Sequence, residues 1–304
     1  MAAGVILRGT IPQALRPGVK TYWGNYEDLP KYCEEIFNVV NSDKNFEDYV
    51  QVNNMTFAPA KPEGDSTSFD SIAQGYTRKL TNVSYAKGFI ITREAKADGR
   101  YFDMMKRGIY ALGLSAYQTT ETLAANVFNN GFTLTNGGDG VALLATDHPT
   151  LSGNQSNELA VSADFSEGAV EDLSIQIRKA QDDAGNQISL QADLLFGAPD
   201  QVFEFERLLK SQLRVDTANN DVNAVRNMSI FPKGYVTNPF LTDSDAFFMR
   251  TTGSASEGLI FQKREALEFS KDNDFDTDNE KYKIFFRQVF GNDDWRSVFG
   301  SAGA

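Results

Sequence analysis

The sequence predicts an α+β protein whose strands are mostly antiparallel. Two observations carry this prediction: one long stretch with helical periodicity, residues 101–129, and a series of short strand-like runs separated by turns rich in Gly, Pro and Asn. With 304 residues, of which 41% are hydrophobic, the chain is long enough to bury a substantial core. We therefore expect an ordered globular body.

Charge and cysteine content narrow the possible functions. The formal net charge of −12 gives no reason to expect tight nucleic-acid binding, because phosphate neutralisation needs clustered Lys and Arg. The one cysteine, Cys33, excludes an intramolecular disulfide and a cysteine-built metal site. The sequence contains neither a signal peptide nor a membrane-spanning stretch. We expect a protein made and used in a cytoplasm, with no membrane partner.

Residues 1–26 are predicted to form an extended arm, because they contain three cations and no acid, and Gly and Pro interrupt any helical pattern. Such an arm lies on a neighbouring molecule, or on an inner face near nucleic acid, or is a loosely ordered terminus. Apolar spacings of three and four then predict a short amphipathic helix over residues 27–40, with Cys33 packed on its apolar face. The cations of the arm are Arg8, Arg16 and Lys20.

A long hairpin is predicted between residues 49 and 85. Strand-like runs at residues 50–57 and 74–85 flank a polar segment, residues 58–66, that is rich in Pro and Gly. A hairpin of this length cannot build a core of its own, so it needs the body of this chain or a neighbouring copy to lie on. The apolar side chains that require cover are Met55, Phe57, Phe69, Ile72, Tyr76 and Leu80.

The remaining elements alternate between helix and strand. A strand at residues 88–93 precedes the helix of residues 101–129, which would be about 40 Å long at about 1.5 Å per residue and is long enough to form a spine. Further helices are predicted at residues 167–182 and 199–213, a buried strand at 190–197, polar loops at 146–157 and 215–227, and strands at 234–238, 246–251, 258–269 and 282–290.

Catalytic and metal-binding patterns are incomplete, and we predict no enzymatic activity, no cofactor and no metal. His148 is the one histidine, and its Asp-His-Pro setting favours a role in shaping a turn. The acidic run 272–280 begins like a calcium loop, but Thr277 stands where glycine is needed and Lys283 where a bidentate glutamate is needed. An acidic turn is the favoured interpretation, with a weak surface cation site as the alternative. Residues 137–140 lack the spacing of a phosphate-binding loop.

The order of the predicted elements, with a set of short motifs, resembles the major capsid proteins of tailed bacteriophages, which have the Hong Kong 97-type fold. Within that group the sequence is most similar to the Mu-like major head subunits. The likeness spans about residues 22–301, and the order of the motifs is more specific than any one of them. The motifs are Ile36-Phe37-Asn38-Val39, Ser42-Asp43-Lys44, Gln74-Gly75-Tyr76-Thr77, Thr146-Asp147-His148-Pro149 and residues 88–94, 217–223, 238–248, 274–277 and 294–301.

This resemblance implies a division of the chain and a set of contacts. Residues 1–48 would be the N-terminal arm and short helix, 49–85 the extended β-hairpin loop, 86–132 the peripheral domain with its spine helix, 133–258 the axial domain and 259–304 a return to the peripheral domain. The contacts between subunits would involve Phe57, Lys61, Glu63, Phe69, Tyr76 and Arg78 of the hairpin, Arg8, Arg16 and Lys20 of an inward-facing arm, and Asn219, Asn220 and Asp221 of an axial-domain loop.

The resemblance also implies the function. The chain would assemble with itself, as hexamers and pentamers, into an icosahedral shell around double-stranded DNA, in a virion built in the host cytoplasm. Scaffolding, portal and decoration proteins would be further partners, and the packaged DNA would be contacted weakly and without sequence specificity. Three alternatives stay open: a nanocompartment shell of the same fold that encloses protein cargo, a hydrolase acting through carboxylates, and a secreted β-rich binding module.

Overall fold

The computed structural model describes residues 5–6, 29–98, 101–135, 137–213, 221–252 and 258–304. No helix within these residues is long and apolar enough to cross a membrane. The helices are α1 Tyr32–Ile36, α2 Arg93–Asp98, α3 Tyr101–Asn129, α4 Glu167–Arg178, α5 Val202–Lys210 and α6 Ala224–Asn227, with 3-10 turns at Pro199–Gln201 and Trp295–Ser297. The strands are β1 Val5–Ile6, β2 Asn38–Asn41, β3 Phe46–Val52, β4 Gln74–Thr81, β5 Val83–Ile91, β6 His148–Thr150, β7 Gly153–Gln155, β8 Gln191–Gly197, β9 Tyr235–Thr237, β10 Phe247–Thr252, β11 Leu259–Asn273, β12 Glu280–Asn292 and β13 Val298–Ser301.

A five-stranded sheet, in the order β1-β5-β12-β11-β2, supports the long helix α3. From Glu280 to Gln288 every second residue of β12 is buried, as the two-residue period of a strand requires, and Tyr282, Ile284 and Phe286 lie in the cluster that α3 covers. Helix and sheet approach closely at Gly108, where an added Cβ would lie 2.2 Å from the Phe89 ring. The crossing point of α3 over β5 therefore requires a residue without a side chain.

A four-stranded sheet, in the order β13-β10-β8-β9, forms a middle layer that is buried on both faces. Phe248 packs with Phe128 of α3 on one face, and the preceding Phe247 packs with Phe205 of α5 on the other. The same two-sided burial explains the uninterrupted apolar run at residues 194–196, because a strand covered on both faces has no polar side.

The first helix is shorter than predicted. The pattern over residues 27–40 predicts one helix, but in the described part of that range only α1 is helical, and the chain then forms β2. Val39 and Val40 pair with Phe261 and Gln262 of β11. Because β-branched side chains fit a pleated sheet better than a helix, the tertiary pairing decides the conformation there.

Other boundaries also differ from the prediction. The polar loop at residues 146–157 contains the hairpin β6–β7, and the loop at 215–227 ends in α6, whose first turn is capped by Asn223. Helices α4 and α5 end earlier than expected, and β11 extends further. The end of the segment 259–304 enters the four-stranded sheet as β13, where it pairs with β10.

Cys33 is a buried core residue, as its place on the apolar face predicts, with 3% of its surface exposed. Burial and the neighbouring Glu121 carboxyl raise the pKa of its thiol. Glu121 of α3 accepts a hydrogen bond from the Cys33 backbone N–H at 3.0 Å, and burial raises the pKa of this carboxyl as well. The pair attaches α1 to α3 inside the core.

Asn157 is the centre of a buried polar node. Its Oδ1 accepts from the Ala145 N–H at 2.9 Å and lies 3.0 Å from Nε2 of His148. A side chain with both donors and acceptors can thus satisfy several backbone groups that would otherwise be buried without partners. Its Nδ2 lies 2.8 to 3.1 Å from the carbonyl oxygens of Leu143, Trp295 and Val298.

His148 organises a wider loop than the turn at its own position: its hydrogen-bond partners lie nine residues away on either side, and its ring contacts a distant segment. It is fully buried, its Nδ1 lies 2.6 Å from Oδ2 of Asp139, and its ring stacks on Trp295 at a centroid distance of 4.3 Å. Both ring nitrogens face oxygen atoms that can accept hydrogen bonds, since Nδ2 of Asn157 is directed at carbonyls. The histidine is therefore part of the polar node.

Replacing Asn157 by Ala is expected to destabilise the folded subunit by about 3 kcal/mol or more, because it leaves several buried polar groups without partners. Denaturant unfolding of the soluble subunit measures the loss. The control is Asn154→Ala, at an exposed position in β7, which should change the unfolding free energy by less than about 0.5 kcal/mol. Equal stability of the two variants would contradict this account.

Candidate assembly interface

The predicted hairpin is present, with its regular pairing confined to its base. Strands β3 and β4 pair from Phe46 with Thr81 to Val52 with Gln74, and we call these two strands the hairpin base. Residues 53–73 continue outward as the hairpin arm, held together by a few hydrogen bonds. The Asn53 N–H donates to the Ala73 carbonyl at 3.0 Å, and the Thr56 hydroxyl donates to Asp70 Oδ2 at 2.6 Å. The Thr56 backbone N–H donates to the same oxygen at 2.9 Å, and these two bonds from Thr56 lower the pKa of the Asp70 carboxyl.

The hairpin arm carries large apolar side chains that its own chain leaves uncovered. Phe57 is 78% exposed and Phe69 is 89% exposed, and Met55 and Ile72 are also more than half exposed. Lys61 and Glu63 lie at the exposed polar tip. Scattered single apolar residues are normal on a surface, but a group on one projecting segment marks an interaction site.

Tyr76 and Arg78 lie at the hairpin base and face the body of the same chain. A Cβ at Gly138 would lie 2.6 Å from the Tyr76 ring and 3.5 Å from Arg78 Cβ, so both side chains pack on the turn at residues 137–141. Burial raises the pKa of the Tyr76 hydroxyl and lowers that of the Arg78 guanidinium. The structure thus separates the six predicted hairpin contacts into four exposed residues on the arm and two residues packed at its base.

The other predicted contact residues are only partly described. Arg8, Arg16 and Lys20 of the arm lie outside the described residues, and so do Asn219 and Asn220 of the axial-domain loop. Asp221 is exposed. The base of that loop is closed by a bridge between Leu213 and Val222 and by two hydrogen bonds from Asn223 Nδ2, to the carbonyls of Leu208 at 2.6 Å and Ser211 at 3.2 Å.

The acidic run at residues 272–280 contains the turn between β11 and β12, and three of its carboxylates, those of Asp274, Asp278 and Glu280, pair with cations of the same chain. Asp274 lies 2.7 Å from Lys281, and Asp278 pairs with Arg93. Within the described residues, no group of three or more His, Cys, Asp and Glu side chains is placed to hold a metal ion. The turn thus joins two strands, as the favoured interpretation of its sequence predicts.

Sequence reasoning missed the residues that attach the hairpin to the body. Gln51 of β3 bonds with Asp183, which lies in a turn far along the chain, and Asp183 also binds Arg296 at 2.9 Å. Asn54 Nδ2 donates to Asp182 Oδ2 at 3.2 Å. The Asp-Asp-Ala-Gly sequence at 182–185 signals a turn, but no local signal identifies its partner.

Solved structures share this fold. The capsid of Myoviridae phage XM1 is 11% identical and covers 99% of this chain and 100% of that one, with a TM-score of 0.55. The capsid of bacteriophage JBD30 decorated with minor capsid protein trimers is 12% identical, covering 73% of this chain and 96% of that one, with a TM-score of 0.56. A virus-like particle from Pyrococcus furiosus is 9% identical, covering 88% and 91%, with a TM-score of 0.50.

Likeness at such low identity shows the fold alone, and it confirms the predicted tailed-phage capsid fold. Comparison of the sequence with curated proteins gives no significant match. A family model described as phage capsid protein matches residues 75–300, which is most of the chain. The match begins inside the hairpin and ends in β13, so it includes the long helix, the four-stranded sheet and three of the five strands of the larger sheet, β5, β11 and β12. The chain belongs to the phage capsid protein family.

Proposed function

We propose that this capsid protein assembles as hexamers and pentamers into the icosahedral shell that encloses the double-stranded DNA of a tailed phage, and that its hairpin arm is the chief contact between subunits. The observation that carries the second part is the exposure of Phe57 and Phe69 on a segment that projects from the body. An aromatic side chain left in water forgoes about 2 kcal/mol or more of burial free energy. Contact with a second copy recovers it.

Symmetry makes one such contact sufficient for a whole ring of subunits. In a closed ring each copy gives its arm to the next copy and receives one from the copy before, so the same surface is used at every interface. The polar tip with Lys61 and Glu63 stays solvated or forms polar contacts at the rim of that interface. A projecting arm therefore combines apolar contacts with a tip too polar for a core.

Charge is compatible with a DNA container. A subunit with a net charge of −12 would contact packaged DNA weakly and without sequence specificity. The N-terminal arm, with Arg8, Arg16 and Lys20, would be the exception, lying on the inner face or on a neighbouring subunit. Scaffolding, portal and decoration proteins are further proposed partners, and assembly would occur in the host cytoplasm. Minor capsid trimers decorate the JBD30 capsid, which supports the last kind of partner.

The finer classification and the division into domains rest on the sequence. The motifs at residues 36–44, 74–77 and 146–149 support a place near the Mu-like major head subunits. The long helix α3 would be the spine of the peripheral domain, and the loop with Asn219, Asn220 and Asp221 would belong to the axial domain and make polar contacts between subunits.

Changing Phe57 and Phe69 together to Ser, or replacing residues 61–68 by a short Gly-Ser turn, should leave soluble folded subunit that no longer closes into shells. Both changes act on exposed residues, so the unfolding free energy should stay within about 0.5 kcal/mol of the wild type. Electron microscopy and sedimentation of the purified protein measure the yield of shells.

The matched control is Phe275→Ser, because Phe275 is 97% exposed but lies in the β11–β12 turn and not in the hairpin. It should assemble like the wild type. Normal shells from both hairpin variants, or an equal loss of shells from Phe275→Ser, would show that the chief contact lies elsewhere.

Deleting residues 1–20 should impair shell formation or shell stability while leaving the body folded. The deletion removes β1, but this strand has two residues and lies at the edge of the five-stranded sheet, where it pairs with β5 alone. The deleted sequence has little apolar content to contribute to a core, and it carries the three cations of the arm. Circular dichroism of the truncated subunit measures its helix content, and sedimentation measures its assembly. A complete loss of the helical signal would mean that the segment is part of the core.

The second candidate function is a shell that encloses protein cargo. A virus-like particle from Pyrococcus furiosus shares this fold, so the fold alone does not separate a phage head from another kind of shell. The two functions differ in their contents. Particles purified from the native source and treated with nuclease should retain protected double-stranded DNA if this protein forms a phage head. A defined cargo protein without protected DNA would instead support the second candidate.

A further inference from the structure

The hairpin base and the root of the arm are attached to one turn of the body, residues 182–186, which we call the latch turn. Gln51 Nε2 bonds with Asp183 Oδ2, and Asn54 Nδ2 donates to Asp182 Oδ2 at 3.2 Å. In the opposite direction, Asn186 Nδ2 donates to the carbonyl oxygen of Met55 at 3.1 Å. These three hydrogen bonds join residues 51–55 of the hairpin to residues 182–186 of the body. Together they fix the angle between the hairpin and the body.

The latch turn is itself rigidly held. Asp182 Oδ1 accepts from the backbone N–H groups of Ala184 at 2.9 Å and Asn186 at 2.7 Å. Although burial by itself would raise the pKa of the Asp182 carboxyl, the hydrogen bonds from Asn186 and Asn54 lower it, so this carboxyl is an ionised acceptor. Asp183 is anchored from behind by Arg296, which is buried.

The second strand of the hairpin base is attached at a separate place. Tyr76 of β4 packs on Gly138, and the next residue in that turn, Asp139, is held by His148 at 2.6 Å. His148 stacks on Trp295, and Trp295 in turn lies against the guanidinium of Arg296, 4.3 Å from its ring centroid. Both strands of the hairpin base are thus connected, through different residues, to the segment that contains Trp295 and Arg296.

We propose that the latch turn sets the direction in which the hairpin arm leaves the subunit, and that Gln51, Asn54, Asp182 and Asp183 are positioning residues for assembly. This inference rests on the proposed function of the arm as the chief contact between subunits. The apolar side chains of the arm can reach a second copy only if the arm points at it. A fixed direction lowers the entropy that assembly must remove from the arm, and it selects one geometry for every subunit contact.

Gln51→Glu tests the latch directly, because it places a carboxylate against Asp183 and replaces an attraction by a repulsion. In the unassembled subunit, amide hydrogen exchange at residues 49–55 and 74–77 should become about tenfold faster. Exchange in α4 and β10 should not change. Shell yield should fall severalfold, with misclosed or irregular particles in electron micrographs.

Matched variants separate the latch from general effects of charge. Gln51→Lys keeps an attraction to the Asp183 carboxylate and should exchange and assemble like the wild type. Thr81→Glu adds the same negative charge at an exposed position of β4 that pairs with Phe46, at the end of the hairpin base remote from Gln51, and should leave hydrogen exchange at residues 49–55 and 74–77 unchanged. Asn54→Ala removes one latch bond without adding charge, and should give a smaller change in the direction of Gln51→Glu.

Two results would overturn the inference: unchanged exchange at the hairpin base in Gln51→Glu, or faster exchange with shells of normal yield and size. Both are distinct from failure of the proposed function itself, which is read from the Phe57 and Phe69 variants. If those assemble normally, the arm is not the chief contact, whatever the exchange of the Gln51 variants shows. Asn54→Ala keeps the test informative if Gln51→Glu fails to fold.

Discussion

The subunit depends on one buried cation that must be neutralised where it lies. Arg296 is 2% exposed, and its guanidinium binds Asp183 at 2.9 Å and Asp294 at 3.3 Å and lies against Trp295. Removing one partner of such a group leaves a buried charge without compensation, which is strongly destabilising. The positions of Arg296 and its two carboxylate partners therefore constrain one another. Because Asp183 also binds Gln51, the constraint on the arginine extends from the 3-10 turn at Trp295–Ser297 to the hairpin.

The parts of the fold that follow from local pattern could be predicted from the sequence. Helix α3 has the predicted bounds, because a strong amphipathic period over 29 residues outweighs any competing structure. The hairpin could be predicted because its signals are local: a Pro- and Gly-rich polar segment lies between two strand-like runs. Three strands of the four-stranded sheet, β8, β9 and β10, lie within a few residues of the predicted bounds, since runs buried on both faces are mostly apolar, whereas β13 was not predicted.

The failures have a common physical cause, which is pairing between residues far apart in sequence. Val39 and Val40 are strand residues because β11 is beside them, and nothing within residues 27–40 shows this. The polar node around Asn157 and the attachment of Gln51 also join distant segments. The sequence shows that the apolar side chains of the hairpin need cover, but it does not show which of them the body of the same chain covers. Tyr76 and Phe57 therefore carry the same prediction, although only Phe57 is exposed.

The order in which the strands are joined has a kinetic consequence. In the five-stranded sheet β2 and β5 pair with β11 and β12, which come much later in the chain. Three strands of the other sheet, β8, β9 and β10, lie between them in the sequence. Folding dominated by such long-range closures is slow, because each closure loses chain entropy before it gains contacts. During synthesis the hairpin arm, residues 53–73, with its exposed apolar side chains, emerges well before the latch turn at residues 182–186. We therefore expect newly made chains to be more prone to aggregate than folded subunits, and a chaperone that shields this segment to raise the yield of assembly-competent protein.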